Sequence, residues 1–145
     1  FDDASSSSSG IDGVEVTVPV LGSGWDAYAL PPVEIVAKEG FCDTVACRTP
    51  GAVELFAPVR PASLSNDGRA QAIRAEIERA ALEVCRAYQV RDLARLILLG
   101  RSQARVLEVD VSPSLAESSP FSLACEASGL SLSGVLNELV SQYAR

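Results

Sequence analysis

Four valines, at positions 14, 16, 18 and 20, alternate with Glu15, Thr17 and Pro19. Residues i and i+2 share one face of a strand, so the stretch predicts a β-strand whose apolar face must be covered. Farther along, Ile73, Ile77, Ala81, Val84 and Tyr88 recur at steps of three or four, the period of one helix face. A chain of 145 residues carrying both periods has room for one mixed core and little else.

Charge and composition then remove whole classes of function. With 12 basic against 19 acidic side chains the net charge is −7, which argues against a nucleic-acid binder, since that needs a basic face. No apolar run approaches the ~18 residues of a membrane span. There is no His, so no triad, metal site or proton shuttle built on imidazole is available. Only Lys38 is a lysine, and anion contacts therefore fall to arginine. The chain begins at Phe1 and contains no Met, which reads as a processed product or a piece of something longer.

The four cysteines have no zinc-knuckle spacing. Cys85 falls on the apolar helix face and Cys125 follows an apolar run, so both are expected as buried free thiols. Cys42 and Cys47 are read as a chance pair. Free thiols favour a reducing compartment, cytoplasmic or an organellar matrix.

Residues 1–12 are acidic and Ser-rich, a flexible segment with nothing to bury. Strands are expected near 14–21, 32–37, 93–99 and 105–111, with residues 100–103 as the hairpin turn. The stretch from Pro50 to Pro61 reads as loop. Helices are expected at about Asp67–Tyr88, capped by Ser65, Asn66 or Asp67, then at Phe121–Ser128 and Leu132–Tyr143. That order gives an α+β fold, an antiparallel sheet with helices packed on one side.

One local constellation bears on chemistry, Glu108-Val109-Asp110-Val111-Ser112-Pro113. On a strand Glu108 and Asp110 project together, roughly 7 Å apart. Two such carboxylates repel unless a cation lies between them, and Mg²⁺ takes one or two carboxylates plus phosphate oxygens. A solvated strand face is the plainer alternative.

From Val14 to Arg145 the chain resembles the C-terminal half of D-alanine–D-alanine ligases, in the ATP-grasp superfamily. Glu15 to Gly22 looks like the family strand that opens on a ribose-contacting Glu. Leu30-Pro31-Pro32-Val33-Glu34-Ile35 resembles L-P-x-x-E-I, and Phe41 to Arg48 sits where the family has F-Y-D-Y-E-A-K-Y. Glu108 to Leu115 is similar to E-x-N-T-S-P-G-M, and Ala127 to Ser131 to the step A-G-M/L-S. The resemblance implies ATP and Mg²⁺ as cofactors and D-alanine as substrate, ligated through an acyl phosphate. It implies Glu108 and Asp110 as magnesium ligands, Arg95 at the phosphoryl group or oxyanion, Ser119 at the substrate carboxylate and Glu15 at the ribose. It further implies partners: the ATP-grasp central and N-terminal domains, carried in the parent chain or another chain, with residues 1–12 as a lid remnant and 13–145 as the lobe.

The departures from the family pattern are specific. Ile97 stands where the family has a magnesium-ligating Asp, Cys47 where it has a phosphate-gripping Lys, Arg48 for Tyr, Ser114 for Gly and Asp110 for Asn. An Ile cannot ligate a metal, and a Cys carries no fixed positive charge. Two readings follow: a ligase lobe, degenerate or a fragment, or an inactive interaction module of a larger assembly. A relative acting on other amino or hydroxy acids is a third.

Overall fold

The computed structural model describes residues 13–37, 51, 53–101 and 104–143. In chain order the strands and helices are β1 (Gly13–Leu21), β2 (Tyr28–Ala29), β3 (Val33–Ala37), β4 (Val53–Phe56), α1 (Pro61–Leu64), α2 (Ala70–Ala87), β5 (Leu93–Arg101), β6 (Arg105–Asp110), α3 (Pro120–Ala127) and α4 (Leu132–Tyr143). The strands form one six-stranded antiparallel sheet, ordered β4-β3-β1-β5-β6, with β2 also paired to β1. The mixed α+β class is as expected.

The helices lie on both faces of the sheet, where the sequence reading placed them on one. Val14, Val16, Val18 and Val20 meet Ile73, Ile77, Ala81 and Cys85 of α2. Leu21 and Val33, on the opposite face, meet Phe121, Ala124 and Cys125 of α3 and Val135 of α4. The physical reason is that the second face is also apolar, at Pro19, Leu21 and Val33, and needs cover of its own. Thr17 and Pro19, which alternate with the valines, are fully buried on that second face.

Pro19 sits in a central strand, where a missing N–H usually breaks a ladder. It falls at the break between the β3 pairing, which runs as far as Thr17, and the β2 pairing, which starts at Val20. Its carbonyl accepts from Leu30 N at 2.9 Å, on the side where the absent N–H would also have pointed.

Three boundaries moved for local reasons. The long helix begins at Ala70, because Gly68 is left-handed (φ 87°) and Asp67 spends its carboxylate on Ser65 and Arg69 instead of on a cap. Tyr88, expected on the buried face, is the residue after the helix and is exposed. The stretch from Pro50 to Pro61 contains β4, and α1 starts at Pro61, with Leu64 buried under α2. Cys85 and Cys125 are buried free thiols, as read. The expectations for 1–12, Lys38, Cys42, Cys47 and Arg48 lie outside the described residues. Among the described residues no helix is long and apolar enough to cross a membrane.

Candidate functional site

The hairpin of β5 and β6 carries most of the candidate residues, and one irregularity orients them. Leu98 pairs with Val106, but Ile97 pairs with Glu108, leaving Leu107 as an extra residue. A β-bulge of this kind shifts the alternation of the strand beyond it. Val106 and Val109 therefore join the α2-side core, while Glu108 and Asp110 turn to the opposite face. Continuous pairing would have put Leu107 there.

On that opposite face Thr17 pairs with Ile97, Pro19 with Arg95, and Arg95 with Asp110. Glu15, Thr17, Arg95, Glu108 and Asp110 thus share one surface across three neighbouring strands. Arg95 Nη2 lies 3.4 Å from Asp110 Oδ2, and its Nη1 donates to Thr17 Oγ1 at 3.3 Å. The other Asp110 oxygen accepts from Ser112 N at 2.9 Å, which turns the chain out of the strand. Glu108 is exposed. An open groove of about 780 Å³ that Glu108 also borders lies on the α2 side of the sheet, between the end of α2 and β6, walled by Val84, Tyr88, Val106, Leu107 and Val109 among others.

Glu15 is half-buried, and burial pushes its carboxyl up to about 7. No cation compensates it among the described residues. Ser119, expected at a substrate carboxylate, is buried as the cap of α3, where its hydroxyl accepts from Ser122 N at 3.2 Å. The Ser122 hydroxyl in turn donates to Ala116 O at 2.7 Å. Ser119 lies on the loop after β6 and is already engaged in holding it. Thr17 is the residue that sequence reasoning missed; a buried hydroxyl facing a distant guanidinium leaves no signal in spacing.

Among the described residues no three His, Cys, Asp or Glu side chains gather to hold a metal. The donor set is the pair Glu108 and Asp110, hard carboxylate oxygens on one strand face. That suits one Mg²⁺ completed by phosphate oxygens and water, and does not suit an all-protein cage.

Comparison with known proteins agrees with this architecture. The fold is shared with the VanG D-Ala:D-Ser ligase from Enterococcus faecalis, with a TM-score of 0.71 at 24% identity over 92% of this chain and 37% of that one. It is also shared with D-alanine–D-alanine ligase from Bacillus anthracis, crystallised with ATP, at a TM-score of 0.66 and 20% identity over 90% and 39% of the two chains. In sequence, the chain is 34% identical over 137 residues to a D-alanine–D-alanine ligase of Carboxydothermus hydrogenoformans, covering 90% of this chain and 40% of the relative. A similar enzyme of Paracidovorax citrulli is 32% identical over 124 residues, 83% of this chain and 35% of the relative. The chain therefore spans some two-fifths of the length of the curated relatives it matches. A family model described as the D-ala D-ala ligase C-terminus matches residues 8–141, and with nearly its whole length so matched the chain belongs to that family.

Proposed function

We propose that this chain is the ATP- and Mg²⁺-facing lobe of a D-alanine–D-alanine type ligase, degenerate relative to its family. The reaction class is ATP-dependent carboxylate–amine ligation through an acyl phosphate, with D-alanine as substrate. The carrying observation is the single sheet face on which Glu15, Arg95, Glu108 and Asp110 converge. Bound Mg²⁺ would supply charge neutralisation over the phosphates of ATP. Glu108 and Asp110 are the residues to hold it, and Arg95 offers a guanidinium for a phosphoryl oxygen. Glu15, largely neutral below pH 7, can donate a hydrogen bond to a ribose hydroxyl as well as accept one. Ser119 is assigned to the substrate carboxylate by resemblance, and its hydroxyl, which donates to Ser122 Oγ at 3.2 Å, must release that bond to donate to a carboxylate. The partners proposed are the family's central and N-terminal domains, in the parent chain or another chain. The two buried thiols support a reducing compartment, cytoplasm or organellar matrix.

One observation favours a second reading, an inactive interaction module. Ile97 is in register with Glu108, so an apolar residue lies where the family places a carboxylate.

A chimera separates the two. This chain replaces the matching segment of the Carboxydothermus relative, and ATP-dependent D-alanine dipeptide formation is measured. We expect little turnover from the unmodified chimera, and a gain of tenfold or more when Ile97→Asp and Cys47→Lys are introduced. A well-folded, doubly substituted chimera with no turnover would overturn the ligase reading. The isolated chain is expected to release no phosphate from ATP in the presence of D-alanine.

A further inference from the structure

Arg95 has one task by resemblance and another in the structure. Its guanidinium is held from two sides, by Asp110 at 3.4 Å and by the fully buried hydroxyl of Thr17 at 3.3 Å. Arg95 and Asp110 are both mostly shielded, with side chains 20% and 29% exposed, so water screens the pair only in part. Both oxygens of Asp110 thus have a partner, Arg95 on one and the Ser112 N–H on the other. Glu108, two residues earlier on the same face, is exposed and has no ion-pair partner among the described residues.

We propose that Arg95 is a positioning residue that competes with the divalent cation for Asp110. In its resting position the guanidinium serves as counter-ion to the acidic pair. A divalent cation reaches Asp110 only by displacing it, and the displaced arginine is then free for an incoming anion. The choice of cation rests on the ligase reading above; the competition itself rests on the geometry. Replacing the family's Asp by Ile at position 97 fits this balance. With two carboxylates on the hairpin of β5 and β6 instead of three, one fixed positive charge there offsets half of the hairpin's acidic charge on this face.

The test uses the chain as it stands, with Mn²⁺ as probe, its affinity read by electron paramagnetic resonance. Paramagnetic broadening of the amides from Glu108 to Ser112 locates the site. Arg95→Gln should bind Mn²⁺ roughly tenfold or more tightly than the wild type, the scale of removing one like charge from contact range. Arg95→Lys keeps the charge and should stay near the wild-type affinity, which a purely structural role would not produce. In the unmodified chain, Mg²⁺ should shift the Arg95 Nε–H resonance as the side chain leaves Asp110, and this measurement stands even if Arg95→Gln fails to fold. Equal affinity of wild type and a folded Arg95→Gln would overturn the proposal, as would Mn²⁺ binding to neither, or an Arg95 resonance unmoved by saturating Mg²⁺. Failure of the chimera to ligate would count against the ligase reading and leave these results untouched.

Discussion

The two faces of the sheet bury the same central strand in different ways. Toward α2 the contact is a row of four valines against Ile73, Ile77, Ala81 and Cys85. The charged residue of β3 on that face, Glu34, is 3% exposed and held by Arg60, whose backbone N, Nε and Nη2 all donate to it at 2.8 to 3.2 Å. Toward α3 the face is divided. Its β3 side is apolar, under Phe121 and Val135, while Glu15 of β1 and Arg95, Glu108 and Asp110 of β5 and β6 occupy the other. The glutamates record the difference. Burial would raise the Glu34 carboxyl, but hydrogen bonds from Arg60 and Ser63 hold it below the ordinary value. Burial raises Glu15, with no compensating partner among the described residues, to about 7. A face used only for packing can neutralise every charge it buries. On the α3 side some charge is incompletely matched among the described residues, and perturbed carboxyls of that kind cluster at functional sites in proteins generally.

The largest test of this contrast lies in the two cores. Phe121→Ala on the α3 side should cost about 3–5 kcal/mol and Ile77→Ala on the α2 side about 2–5 kcal/mol, since both side chains are fully buried. If both faces belong to one cooperative unit, each substitution lowers the midpoint of a single urea transition. Two separate transitions would break the comparison into two independent layers.

Next in size are the pH effects, which have opposite signs. Glu15 has a folded pKa raised from 4.5 to about 7, so its contribution to stability is full below about 4.5. That contribution is lost as pH rises toward 7. Glu34 has a lowered folded pKa, so its contribution is present above its ordinary 4.5 and lost as pH falls below it. Denaturation series from pH 3 to 8 should therefore show Glu15→Gln flattening the decline between about 4.5 and 7. Glu34→Gln should flatten the acid limb alone. A Glu15→Gln profile identical to wild type would show that the carboxyl is matched after all.

The smallest effect lies away from both faces. Arg86 stacks on the ring of Trp25 at 4.7 Å and its Nε donates to Gly24 O at 3.1 Å, pinning the turn after β1 to the end of α2. Arg86→Ala should cost about 0.5–1 kcal/mol and change the fluorescence of the chain's single tryptophan. An unchanged emission spectrum would mean the stack is not populated in solution.

Elements whose apolar period was long were legible from the residues alone. β1, the helix over 70–87 and the terminal helix Leu132–Tyr143 declare themselves through repeated spacing. Short elements did not: β4 spans four residues and α1 four, too few to display a period among prolines. The site was half legible. That Glu108 and Asp110 share a face follows from a period of two, and the family resemblance supplied Glu15, Arg95 and Ser119 as candidates. Thr17 carried no such mark, and the capping of α3 by Ser119 depends on the path of the loop before it.

The sequence by itself determined the α+β class, the strand and helix periods, the family, and the pairing of two carboxylates along one strand. Those properties are local, set by which side chains recur at which spacing. Only the tertiary structure decided that helices cover both faces, because the second apolar patch gathers residues from separate segments, Leu21 and Val33 against Phe121 and Val135. It also decided which face the carboxylates take, because the extra residue at Leu107 turns Glu108 and Asp110 away from α2 and toward Arg95. A bulge is a property of two strands in register, and no single strand carries it.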